Sequence, residues 1–502
     1  RHVLVGMAAV HGGVGELSRK TAGSRSGRPQ HPLAPEQTTA NQAVSPSRAE
    51  TSAQSPLTSS ARRSITTWQH VLGWSLVLLM TGAQFVDLRH GITRPWVVSA
   101  QLLVCGAALL VAAPAAHRQV RVRRQAGTPR GGVLTRTGWI LCGGFTLIEA
   151  WALVSSLVAP QAVIKQGVVP RVYQVMPVVT GWVTMAAVLV VLLAIGQQGR
   201  TRYVPLAAVG LLLGALADWP VQVPIHRSMR VASGMGGSAV IHVALALAAA
   251  VAIDAGRRTT GRVRVLFLGT GALGAMLMVL TVSRAAVVVL LVTCLLIVIG
   301  MWGRGHVRWL GPAIVVFALT MVIAICTVPT FQRLLRWQSS RRLETIHVGW
   351  NAVRSHPLAI LTGLGSGTLF PWYAFDSKLI PAPGSGMVVS RYGTALSSAH
   401  SLYLEVFVEL GAFMLVVLAL VVVALWWCAV GTLRRGMTGH CHAVTILVLA
   451  ATTLAWAFDT YLVKGFSVAM WWWTVAFFAL GFTDTTASQP AVISESSPEP
   501  HF

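Results

Sequence analysis

The amino-acid sequence predicts an all-α integral membrane protein of about twelve crossings, and three observations carry that prediction. First, 54% of the 502 residues are hydrophobic and only 11% are charged, where a soluble domain carries about 25% charged residues. Mean hydropathy is +0.65. Second, the apolar residues fall in runs close to twenty, the length a helix needs to cross a hydrocarbon core about 30 Å thick. Third, the alternating pattern of a membrane barrel is missing. A chain in lipid must then close its own backbone hydrogen bonds as helix.

Residues 1–66 hold Ser, Thr, Pro, Ala and Gln with eight Lys or Arg and no sustained apolar run. Such a segment buries too little to fold, so it is expected to be a disordered cytoplasmic tail. Nine spans follow within 67–328, at 67–86, 96–113, 138–159, 172–196, 203–218, 236–254, 265–281, 285–301 and 309–328. Residues 329–402 are expected as a large extracytoplasmic loop. Three more spans lie in 403–482, at 403–428, 442–458 and 466–482, and a disordered C-terminal tail fills 483–502. With the tail inside, the inner loops carry sixteen Lys or Arg and the short outer loops eight. This excess, led by the Arg118–Arg136 cluster, predicts both termini in the cytoplasm.

The net charge of +24 would suggest nucleic acid in a soluble protein. Here it is read as basic loops held against anionic membrane lipid, so no nucleic-acid partner is expected. The charge is nearly all arginine, and Ala, Val and Gly abound, which points to a GC-rich bacterial genome. Five of the six cysteines lie in apolar runs and no pair has ligand spacing, so neither a disulfide framework nor a zinc site is expected. No metal or other cofactor is implied.

The long loop is cationic, with seven Lys or Arg against Glu344 and Asp376. Its grouped arginines, Arg333, Arg336, Arg341 and Arg342, suit an anion, because guanidinium offers a planar fork to two phosphate oxygens. The stretch from Arg342 to His356 reads as an amphipathic helix ended before Pro357, with Arg354 near its close. A close-approach turn follows at Gly363, Gly365 and Gly367. Solvated ion pairs on a helix face are the plainer reading of any one of these arginines. Arg284, at the outer end of one span, is either a snorkelling interfacial residue or a ligand for lipid phosphate. His400 opens the next apolar helix and is the natural proton acceptor near neutral pH, although a boundary histidine taken alone is more often structural. Glu405 or Glu409 is placed to orient it. Glu149 inside an apolar run is a functional candidate or the buried partner of an arginine. Arg227 and Arg230 make a basic outer loop, either solvated or a second contact for phosphate or glycan. His242 reads as a core residue, and Trp471, Trp472 and Trp473 as an interfacial aromatic belt.

Taken in order, Ser283-Arg284, Arg342-Leu343-Glu344, Arg354, His356-Pro357-Leu358, the glycine turn and His400-Ser401-x-x-Leu404-Glu405 with Glu409 and Gly411 resemble the O-antigen ligase and O-antigen polymerase superfamily of bacterial membrane glycosyltransferases. The resemblance covers about residues 200–430. It implies a fold like the membrane class C glycosyltransferases. It also implies metal-independent transfer of a glycan from a polyprenyl-diphosphate donor to an acceptor, glycan or lipid, at the outer face. In that family the positions of Arg284 and Arg342 hold the donor diphosphate, with Arg341 and Arg354 as further candidates, and the position of His400 serves as base. Two departures stand out: residues 359–362 lengthen the spacing before the glycine turn, and Ser401 stands where asparagine is common. Arg284, Arg342 and His400 are expected to converge on one outward-opening cavity. The alternative is a twelve-helix secondary transporter, against which stand the missing two-fold repeat and the long reactive loop.

Overall fold

The computed structural model describes residues 57–86, 94–125, 133–226, 230–301, 326–327, 332, 340–377, 380, 387–437, 440–464 and 466–483. The predicted span 309–328 falls almost wholly outside them, as do Arg227, Arg333 and Arg336.

Seven helices occupy the first part of the chain: α1 (Leu57–Gly82), α2 (Arg94–Gln125), α3 (Arg136–Val158), α4 (Val172–His226), α5 (Ile241–Arg258), α6 (Gly261–Leu280) and α7 (Arg284–Met301). Then come α8 (Ser340–Arg354), α9 (Pro357–Thr362), α10 (Trp372–Asp376) and α11 (Leu402–Glu405). A π-turn at Val406–Leu410 leads into α12 (Gly411–Arg435), followed by α13 (Ala443–Ala455), α14 (Tyr461–Lys464) and α15 (Phe466–Ala476). Among the described residues six helices are long and apolar enough to cross a membrane. This is a helical membrane protein.

The helix α4 is two legs folded at Gly196, whose φ of 67° and ψ of −177° no helix contains. Gln174 on the first leg meets the Ser366 carbonyl, and Ala194 near its close meets Gln69. On the second leg Tyr203 bonds His70, and Gly214 lies against Gln84. The second leg therefore climbs back beside α1.

Contacts of this kind sort the helix ends into two groups. At one end Thr135 N bonds Gly481 O at 3.0 Å, Arg257 bonds Met437 O, and Gly300 lies against Leu433 and Met437. At the other, Gly234 N bonds Gln84 O at 2.6 Å, Val231 N bonds Leu280 O at 3.0 Å, and Leu402 N bonds Trp456 O at 2.8 Å. Ser366 N reaches Ser155 Oγ there at 3.2 Å. The second group, called the site end below, gathers Arg284, α8, the glycine turn and His400.

The helical fold carries one small sheet besides, and two expectations are corrected. Strands β1 (Val163–Ile164), β2 (Gly167–Val168), β3 (Met387–Ser390) and β4 (Gly393–Leu396) form the antiparallel sheet in the order β2-β1-β3-β4. Chain outside the helices still has N–H and C=O groups to pair, and two hairpins pair each other. The segment read as a tail to residue 66 is already helical from Leu57, since extending an anchored helix gains one hydrogen bond per residue without a new nucleus. Trp471, Trp472 and Trp473 are 0%, 0% and 3% exposed and make no interfacial belt. They form the core, with Trp471 Nε1 bonding Ala244 O at 3.2 Å and Trp472 Nε1 bonding Thr452 Oγ1 at 3.1 Å. An indole deep in a bundle needs such an acceptor, and α5 and α13 supply it. His242 is fully buried, in keeping with a core residue.

Candidate active site

Three short segments build the site end. The first is the turn from α6 to α7. Thr281, Val282 and Ser283 are buried, and Val282 sits at φ 49°. A β-branched residue in the left-handed region is a true outlier, costing about 1–3 kcal/mol that neighbouring contacts must offset. Arg284, half-buried, begins α7 immediately after.

The second segment runs from α8 through α9 to the glycine turn. The buried side of α8 packs Thr345, Ala352 and Val353 inward, and Thr345 Oγ1 accepts from Leu396 N at 3.1 Å. This bond ties α8 to the strand β4 that precedes His400. Arg341 and Arg342 in the first turn of α8 and Arg354 at its last residue are exposed. The helix ends at Arg354, and Pro357 then takes the first position of α9, where a missing N–H costs nothing. Residues 359–362, the lengthened spacing, simply complete α9.

Gly363, Gly365 and Gly367 follow at φ 81°, 102° and 69°. A Cβ on Gly363 would fall 2.1 Å from Glu409 O, so only glycine admits this approach. Leu364 N bonds Val408 O and Gly365 N bonds Glu409 O, each at 2.9 Å. The Glu409 carboxylate then accepts Gly367 N at 2.8 Å, Phe370 N at 2.9 Å and Leu369 N at 3.2 Å. A side chain 3% exposed thus organises the glycine loop from forty residues downstream.

The third segment opens α11. His400 has φ 51°, and its N–H meets Ser398 Oγ at 3.5 Å. Ser401 caps α11 by accepting Leu404 N at 3.4 Å. Asparagine and serine serve that cap equally well, so Ser401 keeps the physical role expected of the position. Leu402 N, held by Trp456 O, fixes the helix start against the end of α13, and α13 in turn packs along α7.

The three segments therefore share one end of the bundle on elements that touch through α13, β4 and the π-turn. A cavity of about 50 Å³ lies beside them, lined in part by Glu149, Glu405, Glu409, Tyr173, Gln174 and Trp372. Neither the arginines nor His400 are among its lining residues. One water needs roughly 10–15 Å³, so this space suits a few waters and no sugar. Glu149 lies against Gly181 of α4, and no arginine lines the cavity beside it. Glu405 is 8% exposed on the cavity wall. Arg230 turns to backbone, its Nε donating to Thr281 O at 2.9 Å and Nη2 to Val282 O at 3.5 Å. No group of three or more His, Cys, Asp or Glu among the described residues has metal-binding geometry.

Residues 269–419, from α6 into α12, match the family model of the O-antigen ligases. This chain carries an O-antigen ligase-family domain. A search of curated proteins finds no match. The O-antigen ligase match spans Arg284, Arg341, Arg342, Arg354, His400, Glu405 and Glu409, and stops short of Arg227 and Arg230. It implies a glycosyltransferase-like enzyme of surface polysaccharide biosynthesis, of the kind that acts on lipid-linked glycan.

Sequence reasoning missed the part played by Glu409, Ser155 and Trp151, whose Nε1 bonds both Thr362 O and Leu410 O at 3.1 Å. Their partners are backbone groups, which no side-chain pattern displays. Gly411 gave the one available signal: at φ 87°, with a Cβ position 2.1 Å from Leu361 O, it marks where two backbones meet.

Proposed function

We propose that this protein transfers a glycan from a polyprenyl-diphosphate carrier to an acceptor hydroxyl at the outer face of a bacterial inner membrane, as a surface polysaccharide polymerase or ligase. The observation that carries the reading is backbone strain. The positive-φ non-glycine residues in the described chain are Val282 and His400, one beside the arginine expected to hold the donor and the other the expected base. Strain of this kind collects where a fold pre-organises chemistry.

On this reading Arg284 and Arg342, with Arg341 and Arg354 near, grip the diphosphate through paired N–H donors. The acceptor O–H gives its proton to the neutral His400 imidazole as its oxygen attacks the anomeric carbon. The bond to the diphosphate oxygen breaks, and the guanidiniums offset the charge left there, a task metal ions perform elsewhere. Glu405 steadies the imidazolium so formed.

The proposed topology has twelve crossings with both termini inside. The sorting of helix ends supports it, because the predicted inner loops contact one another at one end and the predicted outer loops at the other. The helix α7 closes at the first end and α8 packs at the second.

Incubating the purified protein with polyprenyl-diphosphate-linked glycan tests the proposal. Longer lipid-linked chains would identify a polymerase, and glycan moved to a different acceptor a ligase. Unaltered donor that is merely carried across a vesicle membrane would favour the transporter.

A further inference from the structure

We infer that Arg230 is a positioning residue that holds the left-handed turn at Val282 and thereby aims Arg284 at the donor diphosphate; this rests on the donor-binding reading of Arg284. Thr281, Val282 and Ser283 are at most 7% exposed, so the carbonyls there cannot turn to water and require donors from the protein. The last carbonyls of a helix have no partner within it, and α6 ends at this turn. The 230–231 segment meets that need in sequence. Val231 N bonds Leu280 O at 3.0 Å, Arg230 Nε bonds Thr281 O at 2.9 Å, and Arg230 Nη2 reaches Val282 O at 3.5 Å.

The planar fork of one guanidinium thus spans two successive carbonyls, which a lysine ammonium cannot copy. Its positive charge also complements the negative end of α6. With both carbonyls held, Val282 stays at φ 49° although its branched side chain disfavours that region. Release of the carbonyls lets Val282 return to negative φ. Arg284, two residues on and at the first position of α7, then swings with the turn. Arg230 acts on the donor through Arg284, and its test must separate this from a direct phosphate contact.

A double-mutant cycle on the full chain in nanodiscs makes that separation, with farnesyl diphosphate as the binding probe and thermal unfolding as a check of folding. Arg284→Ala is expected to weaken the probe about tenfold or more, and Arg230→Gln by about the same factor or somewhat less. The double variant should be no weaker than Arg284→Ala alone, within about twofold. Val282→Gly should restore most of the affinity lost in Arg230→Gln, because glycine adopts the left-handed turn unaided. Multiplicative losses, or an Arg230→Gln variant that binds normally, overturn the inference while leaving Arg284 as a donor ligand. Normal binding by Arg284→Ala removes the donor-site reading and this inference together. If Arg230→Gln does not fold, Arg230→Lys, which keeps the positive charge but not the planar fork, enters the same cycle with the same criteria.

Discussion

The two ends of the bundle solve one problem in different ways. Each must join helix termini distant in sequence, and each does so with a buried carboxylate. At the end away from the site, Asp254 accepts Val444 N at 3.2 Å and both Thr445 N and Thr445 Oγ1 at 2.8 Å, and it pairs with Arg257 at 2.9 Å. It caps α13 as an N-cap side chain would, from another helix. At the site end Glu409 accepts three N–H groups of the glycine loop. The backbone of Asp254 and its partners is ordinary, whereas the site end also holds Val282 and His400 in left-handed conformations. A structural joint needs no such strain. On the proposed function, the difference separates an end built for cohesion from one that also presents side chains to the donor.

The sharpest way to break the comparison is at the strained histidine. His400→Ala should lower glycan transfer by about 10²–10⁴-fold with normal membrane insertion and an unchanged melting temperature. A loss of the same size in folded Asp254→Ala would erase the contrast between the ends. Next comes a glycine pair. Gly363→Ala should fail to fold or lose activity, since its Cβ would overlap Glu409 O, whereas Gly261→Ala at the opposite end meets nothing within 4 Å. Gly261→Ala should cost only about 1–2 kcal/mol for its positive φ, read as a modest fall in melting temperature.

A smaller effect is expected for the two carboxylates. Glu409→Gln and Asp254→Asn each replace one accepting oxygen with an NH2 group facing backbone N–H donors, at about 1–3 kcal/mol. Both should lower the melting temperature, but only Glu409→Gln should also lower the turnover of the folded fraction. Chelator marks the lower limit: EDTA should leave transfer unchanged, and a loss would place a metal in the reaction.

Most of the spans could be read from the sequence because the physics is one-dimensional: a run of twenty apolar residues has few alternatives in lipid. The turn at Gly196 separates the two spans expected there. Residues that are costly in lipid stood out in the same way, so Arg284, His400, Glu405 and Glu149 were visible as letters. The hidden part depends on which face of a helix meets protein. Three successive tryptophans look the same at an interface and in a core, and only packing against α5 and α13 decides for the core. Strands of two residues, β1 and β2, carry no period to detect. The clamp made by Arg230 acts on carbonyl groups, which every residue has, so its position said nothing of its partner.

On the proposed function the cations of the site end, and not those of the other end, hold a pyrophosphate within reach of the histidine. The most direct test is a structure of the protein with a polyprenyl diphosphate bound. The diphosphate oxygens are expected within about 3 Å of the Arg284 and Arg342 guanidiniums, with His400 facing the sugar-bearing side. A diphosphate bound at Arg257, Arg434 and Arg435 of the opposite end, or Arg284 turned away from it, would overturn the proposed donor site.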